Sequence, residues 1–300
     1  MKAAALVVAR VLALTIVLFI CFSVGAGVAI QPGTSNASEP AGAAALALLV
    51  VCFLDTIVLT HFILRSRWTG WRLMATVFFV FYGVTTFMSQ IESAVFITRL
   101  PPGMLPRLFL MGALIAAPFS VLAVLILGKR KANGVDTEGN SRLIMPASEW
   151  AWKLAVIALA YLILYFTFGY FIAWRQPAVR EYYGGIDEGG FLLQMRTVLR
   201  NTPWLIPFQI GRAMCWVVLA LPVVRSLKGQ WQETALAIGL LFAVVMNAQL
   251  LLPNPYMPEP VRMAHLVETA SSNFVFGVLI GWLLTDRHTF AKVATAPAAG

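Results

Sequence analysis

The sequence predicts an all-α fold, a polytopic integral membrane helix bundle of about eight transmembrane helices with both termini cytoplasmic. Three observations predict it. Apolar residues make up 60% of the 300-residue chain and charged residues 12%, with a mean hydropathy of +0.81, whereas a soluble domain carries about 25% charged residues. The apolar residues gather into eight runs, at about 5–30, 42–64, 73–97, 108–128, 153–174, 204–224, 234–252 and 267–284, each long enough for a helix to cross about 30 Å of hydrocarbon. The basic residues between the runs divide unequally. Lys2, Arg65, Arg67, Arg72, Lys129, Arg130, Lys131, Arg142, Lys153, Arg225, Lys228, Arg287 and Lys292 fall on one side, and Arg99, Arg107, Arg175, Arg180, Arg196, Arg200 and Arg262 on the other. The richer side is the cytoplasmic, or inner, one.

The first run follows Lys2 and Arg10 and so resembles a secretory signal, but its apolar stretch of about 20 residues is longer than such signals use and reads as a span. The second carries Cys52, Asp55 and His61, and Trp68 and Trp71 after it mark the inner interface, where indole rings prefer to sit. The third carries Gln90 and Glu92 towards its outer end, and the fourth follows a loop with Pro101, Pro102 and Pro106. An inner loop with Lys129-Arg130-Lys131, Asn133-Gly134 and Gly139-Asn140 reads as a solvated linker. Trp150, Trp152 and Trp174 bound the fifth run. In the outer loop that follows, Phe191, Leu192, Met195, Val198 and Leu199 share a face opposite Arg196 and Arg200, the pattern of a short helix lying in the interface. The sixth run starts at Trp204 and carries Gln209, Arg212 and the deep Trp216; the seventh follows Trp231 and carries Asn247 and Gln249 near its outer end. A loop with Pro253, Pro255, Pro258 and Pro260 leads to the eighth, where His265, Glu268 and Ser272 share one helix face.

The chain reads as one transmembrane domain, 1–300, with a weak 4+4 parallel repeat of 1–128 and 153–300 joined by the cytoplasmic loop 129–152. Both Arg65-Ser66-Arg67-Trp68-Thr69-Gly70-Trp71 and Arg225-Ser226-Leu227-Lys228-Gly229-Gln230-Trp231 read Arg-Ser, then Gly and Trp, and a proline-rich outer connection follows later in each half. A parallel repeat has its symmetry axis along the membrane normal. The net charge of +9 is scattered between runs rather than clustered on one face, so no nucleic-acid partner is expected. Cys21, Cys52 and Cys215 stand alone inside apolar runs, without the spacing of a disulfide framework or a thiolate zinc site. His61 and His288 lie near the inner face and His265 near the outer, which does not suit a haem sandwich. His265, Glu268 and Glu92 offer metal-ligand atoms, but HExxH is absent and HxxE alone is a common spacing, so neither a metal nor another cofactor is assigned.

An ionisable side chain in hydrocarbon costs a few kcal/mol and so marks a functional site by default. At about 1.5 Å rise per residue, Glu92 lies roughly 8 Å below the outer end of its span and Arg212 roughly 12 Å below the end of its own. Gln90, Asn247 and Gln249 fall in the same slab, and His265 and Glu268 enter it from the eighth span. Four spans, the third, sixth, seventh and eighth, are thus expected to line an outer-facing polar pocket in which Arg212 holds an anionic group and Glu92 serves as counterion, proton carrier or base. The alternative is that Glu92 and Arg212 are a buried structural pair whose leftover hydrogen bonds are satisfied by amides. Asp55 lies inward of the midplane, in reach of Thr56, Thr60 and Tyr82, and is a second proton-coupling candidate.

Together, Glu92, Arg212, Asp55, Gln90, Asn247, Gln249, His265 and Glu268 are the substrate-binding or proton-coupling candidates, and no catalytic residue is assigned. The chain reads first as a secondary transporter or lipid-handling protein, with membrane lipids as surroundings and a small anionic or lipid substrate. The alternatives are a non-catalytic membrane subunit, sensor or assembly factor bound to a protein partner, and an intramembrane enzyme acting on a lipid-linked substrate. The general character is that of the bacterial cytoplasmic membrane, and Asn36-Ala37-Ser38 fits a glycosylation sequon too short to decide the host.

Overall fold

The computed structural model describes residues 2–29, 41–97, 100–131, 140–187 and 189–285; the sequon, Arg99, Asn133-Gly134, Arg287, His288 and Lys292 lie outside them. Eight helices are long and apolar enough to cross a membrane. They are Lys2–Ala29, Ala41–Arg65, Gly70–Phe96, Met104–Ile126, Ala147–Ala173, Leu205–Ser226, Trp231–Leu251 and Glu259–Thr285, here the first to eighth spans. The protein is therefore an all-α, multi-pass membrane bundle. The eighth span begins eight residues or so before its apolar run, because Glu259 at its first turn complements the helix dipole and Pro260 is tolerated there.

The first span packs on the second and fourth, and the third on the fourth. The fifth packs on the sixth and eighth, and the seventh on the eighth. The two groups of four meet where the second span touches the seventh, the third touches the sixth, and the third touches the seventh. The tightest of these seams, between seventh and eighth, rests on small residues. A side chain on Gly277 would come within 2.8 Å of the Gly239 Cα, and one on Gly281 would collide with Ala235. Gly277 and Gly281 form a GxxxG pattern facing Ala235 and Gly239 at the same spacing, which lets the backbones approach closely where lipid offers no hydrophobic drive for association.

The third, fifth and seventh spans each contain a π-helical turn, at Gly83–Phe87, Gly169–Ala173 and Leu241–Val245. A π turn leaves carbonyls poorly bonded, and in hydrocarbon these need partners. Asn247 supplies one set, its Nδ2 donating to Phe242 O at 3.2 Å and Ala243 O at 2.9 Å. Gln249 Nε2 reaches across to the third span, donating to Thr85 O at 2.9 Å and Ser89 Oγ at 3.0 Å. Arg262 Nη1 closes the outer end of the seventh span by donating to Leu250 O and Leu252 O, at 2.8 and 2.6 Å.

On the inner side the groups are latched. Ser66 and Leu227 form an antiparallel bridge, with Arg67 N donating to Ser226 O at 2.7 Å and Lys228 N to Arg65 O at 3.3 Å. Arg65 pairs with Glu233, and Lys129 Nζ donates to Ser66 O at 2.7 Å. Gly70, at a φ of +58° that favours glycine, turns its N–H onto Lys129 O. Burial, and then the neighbouring Lys228, push the Lys129 ammonium below its usual pKa.

Two short helices, Pro177–Tyr183 and Phe191–Asn201, lie at the outer end. The expected face of the second is corrected. Phe191 packs on Tyr170 and Phe171, with ring centroids 5.3 and 5.4 Å away, and this sets the helix rotation. Gln194 is turned inward, while Leu192, 81% exposed, and Leu199 share the outer surface with Arg196 and Arg200. Leucines entering lipid beside arginines that snorkel to headgroups are compatible with that surface.

Candidate functional site

Gln209 and Arg212 lie three residues apart on one face of the sixth span, so both point into the bundle, and Trp216 continues that buried stripe one turn deeper. The third span meets this face near its outer end. Arg212 Nη2 lies 2.7 Å from Glu92 Oε1, and Arg212 Nη1 donates to Gln209 Oε1 at 2.9 Å. The guanidinium is 5% exposed and the carboxylate 31%. The acid is thus the outer, accessible member of the pair, and the base is the inner, enclosed one.

Aromatic rings enclose the guanidinium. The Arg212 Cζ lies 5.8 Å from the Tyr161 ring centroid and 6.0 Å from that of Phe208, within the range of cation–π attraction. Phe96, Trp204 and Phe208 cluster where the third and sixth spans end, with centroids 5.9 to 6.4 Å apart. Even so, two donors are unsatisfied: Arg212 Nε and Gln209 Nε2 are buried with no hydrogen-bond partner. A buried donor left without an acceptor costs about 1–3 kcal/mol, more when charged, so this arrangement suits a group that brings oxygen acceptors.

A second polar group stands beside the first. His265 Nδ1 lies 2.7 Å from Glu268 Oε2, and His265 Nε2 lies 3.1 Å from Tyr183 Oη. Glu268 is buried, and a side chain on Gly169 would sit 3.5 Å from its Oε1, so the glycine leaves room for the carboxylate at the π turn of the fifth span. Tyr161 and Tyr165 are within electrostatic reach of Glu92, Arg212 and Glu268. Tyr183 senses Glu92 and Glu268 too; burial first, then Tyr182 and those carboxylates, hold its phenol well above the usual pKa, so it stays a neutral hydrogen-bond donor.

The structure thus brings Glu92, Arg212, His265 and Glu268 into one outer cluster with Gln209. The expectation of four lining spans is corrected in part: the seventh uses Asn247 and Gln249 on the π-turn carbonyls, and the fifth takes its place with Tyr161 and Tyr165. Gln90 sits two residues before Glu92 with a buried Oε1 lacking a partner. Asp55 stands apart: it is buried, its Oδ1 is unbonded, and Thr56 and Thr60, expected to serve it, also have unbonded hydroxyls. Sequence reasoning missed Tyr161, Tyr165 and Tyr183; the i, i+4 tyrosines on one side of the fifth span were the available signal.

Among the described residues no three His, Cys, Asp or Glu side chains gather as metal ligands, and the three cysteines are free and separate. An apolar groove of about 230 Å³ between the third and fourth spans, lined by Met74, Phe78, Ala117 and Val121, lies in the inner half and is remote from this cluster. Comparison of the chain with protein families, with curated proteins and with solved structures finds no match.

Proposed function

We propose that the protein is a secondary transporter or lipid-handling protein of a bacterial cytoplasmic membrane that takes an anionic group from the outer side onto Arg212. The observation that carries this reading is the pair of buried, unpartnered donors, Arg212 Nε and Gln209 Nε2, beside an ion pair whose acid is the exposed member. An incoming phosphate, sulfonate or carboxylate would satisfy both donors and displace Glu92 towards the outer rim.

The packing supports a repeat of two four-span units as the moving bodies. A shift carrying Ser66 onto Ser226 also carries Trp71 onto Trp231 and brings the π turns Gly83–Phe87 and Leu241–Val245 into overlap. The same shift maps the first-to-second, first-to-fourth and third-to-fourth contacts onto fifth-to-sixth, fifth-to-eighth and seventh-to-eighth, and exchanges second-to-seventh with sixth-to-third. The inner bridge at Ser66 and Leu227 joins equivalent loops across that axis. With the inner side latched and the anion site near the outer end, the arrangement suits an outward-facing state of an alternating-access cycle.

The test uses two probes, sulfate and hexanesulfonate, on protein in detergent. Each is scored by the rise in unfolding temperature that ligand binding to the native state produces. The reading expects stabilisation of wild type and none of Arg212→Gln; sulfate acts if the site takes a free anion, and hexanesulfonate alone acts if it needs a lipid-like tail. No shift of wild type with either probe, or equal shifts in the variant, contradicts it.

A further inference from the structure

The anion site contains more acid than base. Its charges are the enclosed Arg212, the partly exposed Glu92 and the buried Glu268, and adding an anion to that set in a low-dielectric slab is costly unless a positive charge arrives with it. Arg262, one turn before His265, is committed to the carbonyls of Leu250 and Leu252. Arg180 on the short helix donates to Trp174 O and lies 3.7 Å from Asp187. Tyr182, Tyr161 and Tyr165 are neutral phenols at working pH. His265 is the remaining group in the cluster able to change charge near neutral pH.

We propose that Tyr183, His265 and Glu268 form the proton-binding station of the site, so that one proton enters on His265 as an anion displaces Glu92 from Arg212. The inference rests on the reading of Arg212 as the anion's ligand. In the neutral state the imidazole keeps its hydrogen on Nδ1, donated to the Glu268 carboxylate 2.7 Å away, and its Nε2 lone pair accepts from the Tyr183 hydroxyl at 3.1 Å. A proton from outer water adds to Nε2; the Tyr183 hydroxyl then turns to accept from it, and Nδ1–H stays on Glu268. The His265 side chain is itself 20% exposed, which gives the proton its route from water. The imidazolium restores charge balance and offers the displaced Glu92 a cation in place of Arg212.

The experiment measures binding of sulfate and hexanesulfonate, whose charge is constant over the range, at about pH 5.5 and about pH 8, spanning the histidine range. Wild type is expected to bind the better probe roughly tenfold more tightly at the lower pH, the effect of about one pKa unit of linkage. His265→Gln and the milder Glu268→Gln are expected to bind with little pH dependence, while Arg212→Gln binds neither probe. Equal affinity at both pH values in wild type, with binding lost in Arg212→Gln, overturns the proton station and leaves the anion site standing. Retention of the tenfold ratio in His265→Gln also overturns the station. Absence of binding by wild type at both pH values overturns the anion reading itself.

Discussion

Arg212 has a partner on nearly every side, yet two donors of the Arg212–Gln209 pair remain open, and this imbalance decides how substitutions behave. Glu92→Gln leaves an enclosed guanidinium with only neutral acceptors and is expected to destabilise the protein by about 3 kcal/mol. Arg212→Gln leaves a carboxylate that is already a third exposed and can hydrate or protonate, so its cost is expected to be smaller. The double variant should lose less than the sum of the two, with a coupling of about 1–3 kcal/mol in a double-mutant cycle read by denaturant unfolding in micelles. Additive losses would show that the two charges do not depend on each other. The similar depth of Glu92 and Arg212 below the outer interface was legible in the sequence from helical rise, but their pairing was not. Nor was Tyr183, because its approach to His265 depends on a seven-residue helix folding back from the fifth span over the eighth.

The helices were readable in number and approximate position, since apolar length and tryptophan placement both follow from the bilayer itself. Their irregular turns were not readable. The π turn at Leu241–Val245 bears no Pro, and its signature is the amide of Asn247 returning to Phe242 and Ala243, which from sequence alone looked like a pocket residue. Gln249→Ala is expected to cost about 1 kcal/mol in the same unfolding assay, typical of an interhelical hydrogen bond in a membrane, with anion binding retained. Loss of binding without loss of stability would return Gln249 to the site. The GxxxG of Gly277 and Gly281, a pattern that signals close helix approach in a membrane, was missed in the sequence. Because a side chain at Gly281 meets the Ala235 backbone, Gly281→Leu is expected to cost at least about 2 kcal/mol and to reduce the yield of folded protein, whereas Gly211→Leu, in open space, is tolerated. Equal yields of the two variants would mean that the seventh and eighth spans do not pack this closely.

The multi-pass bundle follows from composition, but the relation between its halves needed the contacts. The short Arg-Ser, Gly and Trp echo in two inner loops carried little weight alone; the matching pairs of packed spans and the bridge between those loops are what support the repeat. Residues 1–131 and 140–300 co-expressed as separate chains are therefore expected to assemble. Ser66 and Leu227 form a non-hydrogen-bonded antiparallel pair, whose Cα atoms stand about 4.5 Å apart, within disulfide reach. Ser66→Cys with Leu227→Cys should then join the two chains on mild oxidation, as a single band on a non-reducing gel. Failure to cross-link in assembled protein would mean that the inner latch is open. The central claim, that Arg212 holds an anionic group, is tested most directly by native mass spectrometry of protein purified in mild detergent, comparing wild type with Arg212→Gln and with Arg10→Gln, which loses the same charge elsewhere. The account predicts an anionic molecule, lipid or small solute, bound to wild type and Arg10→Gln and missing from Arg212→Gln; a wild type that carries none, or an Arg212→Gln that carries as much, would contradict it.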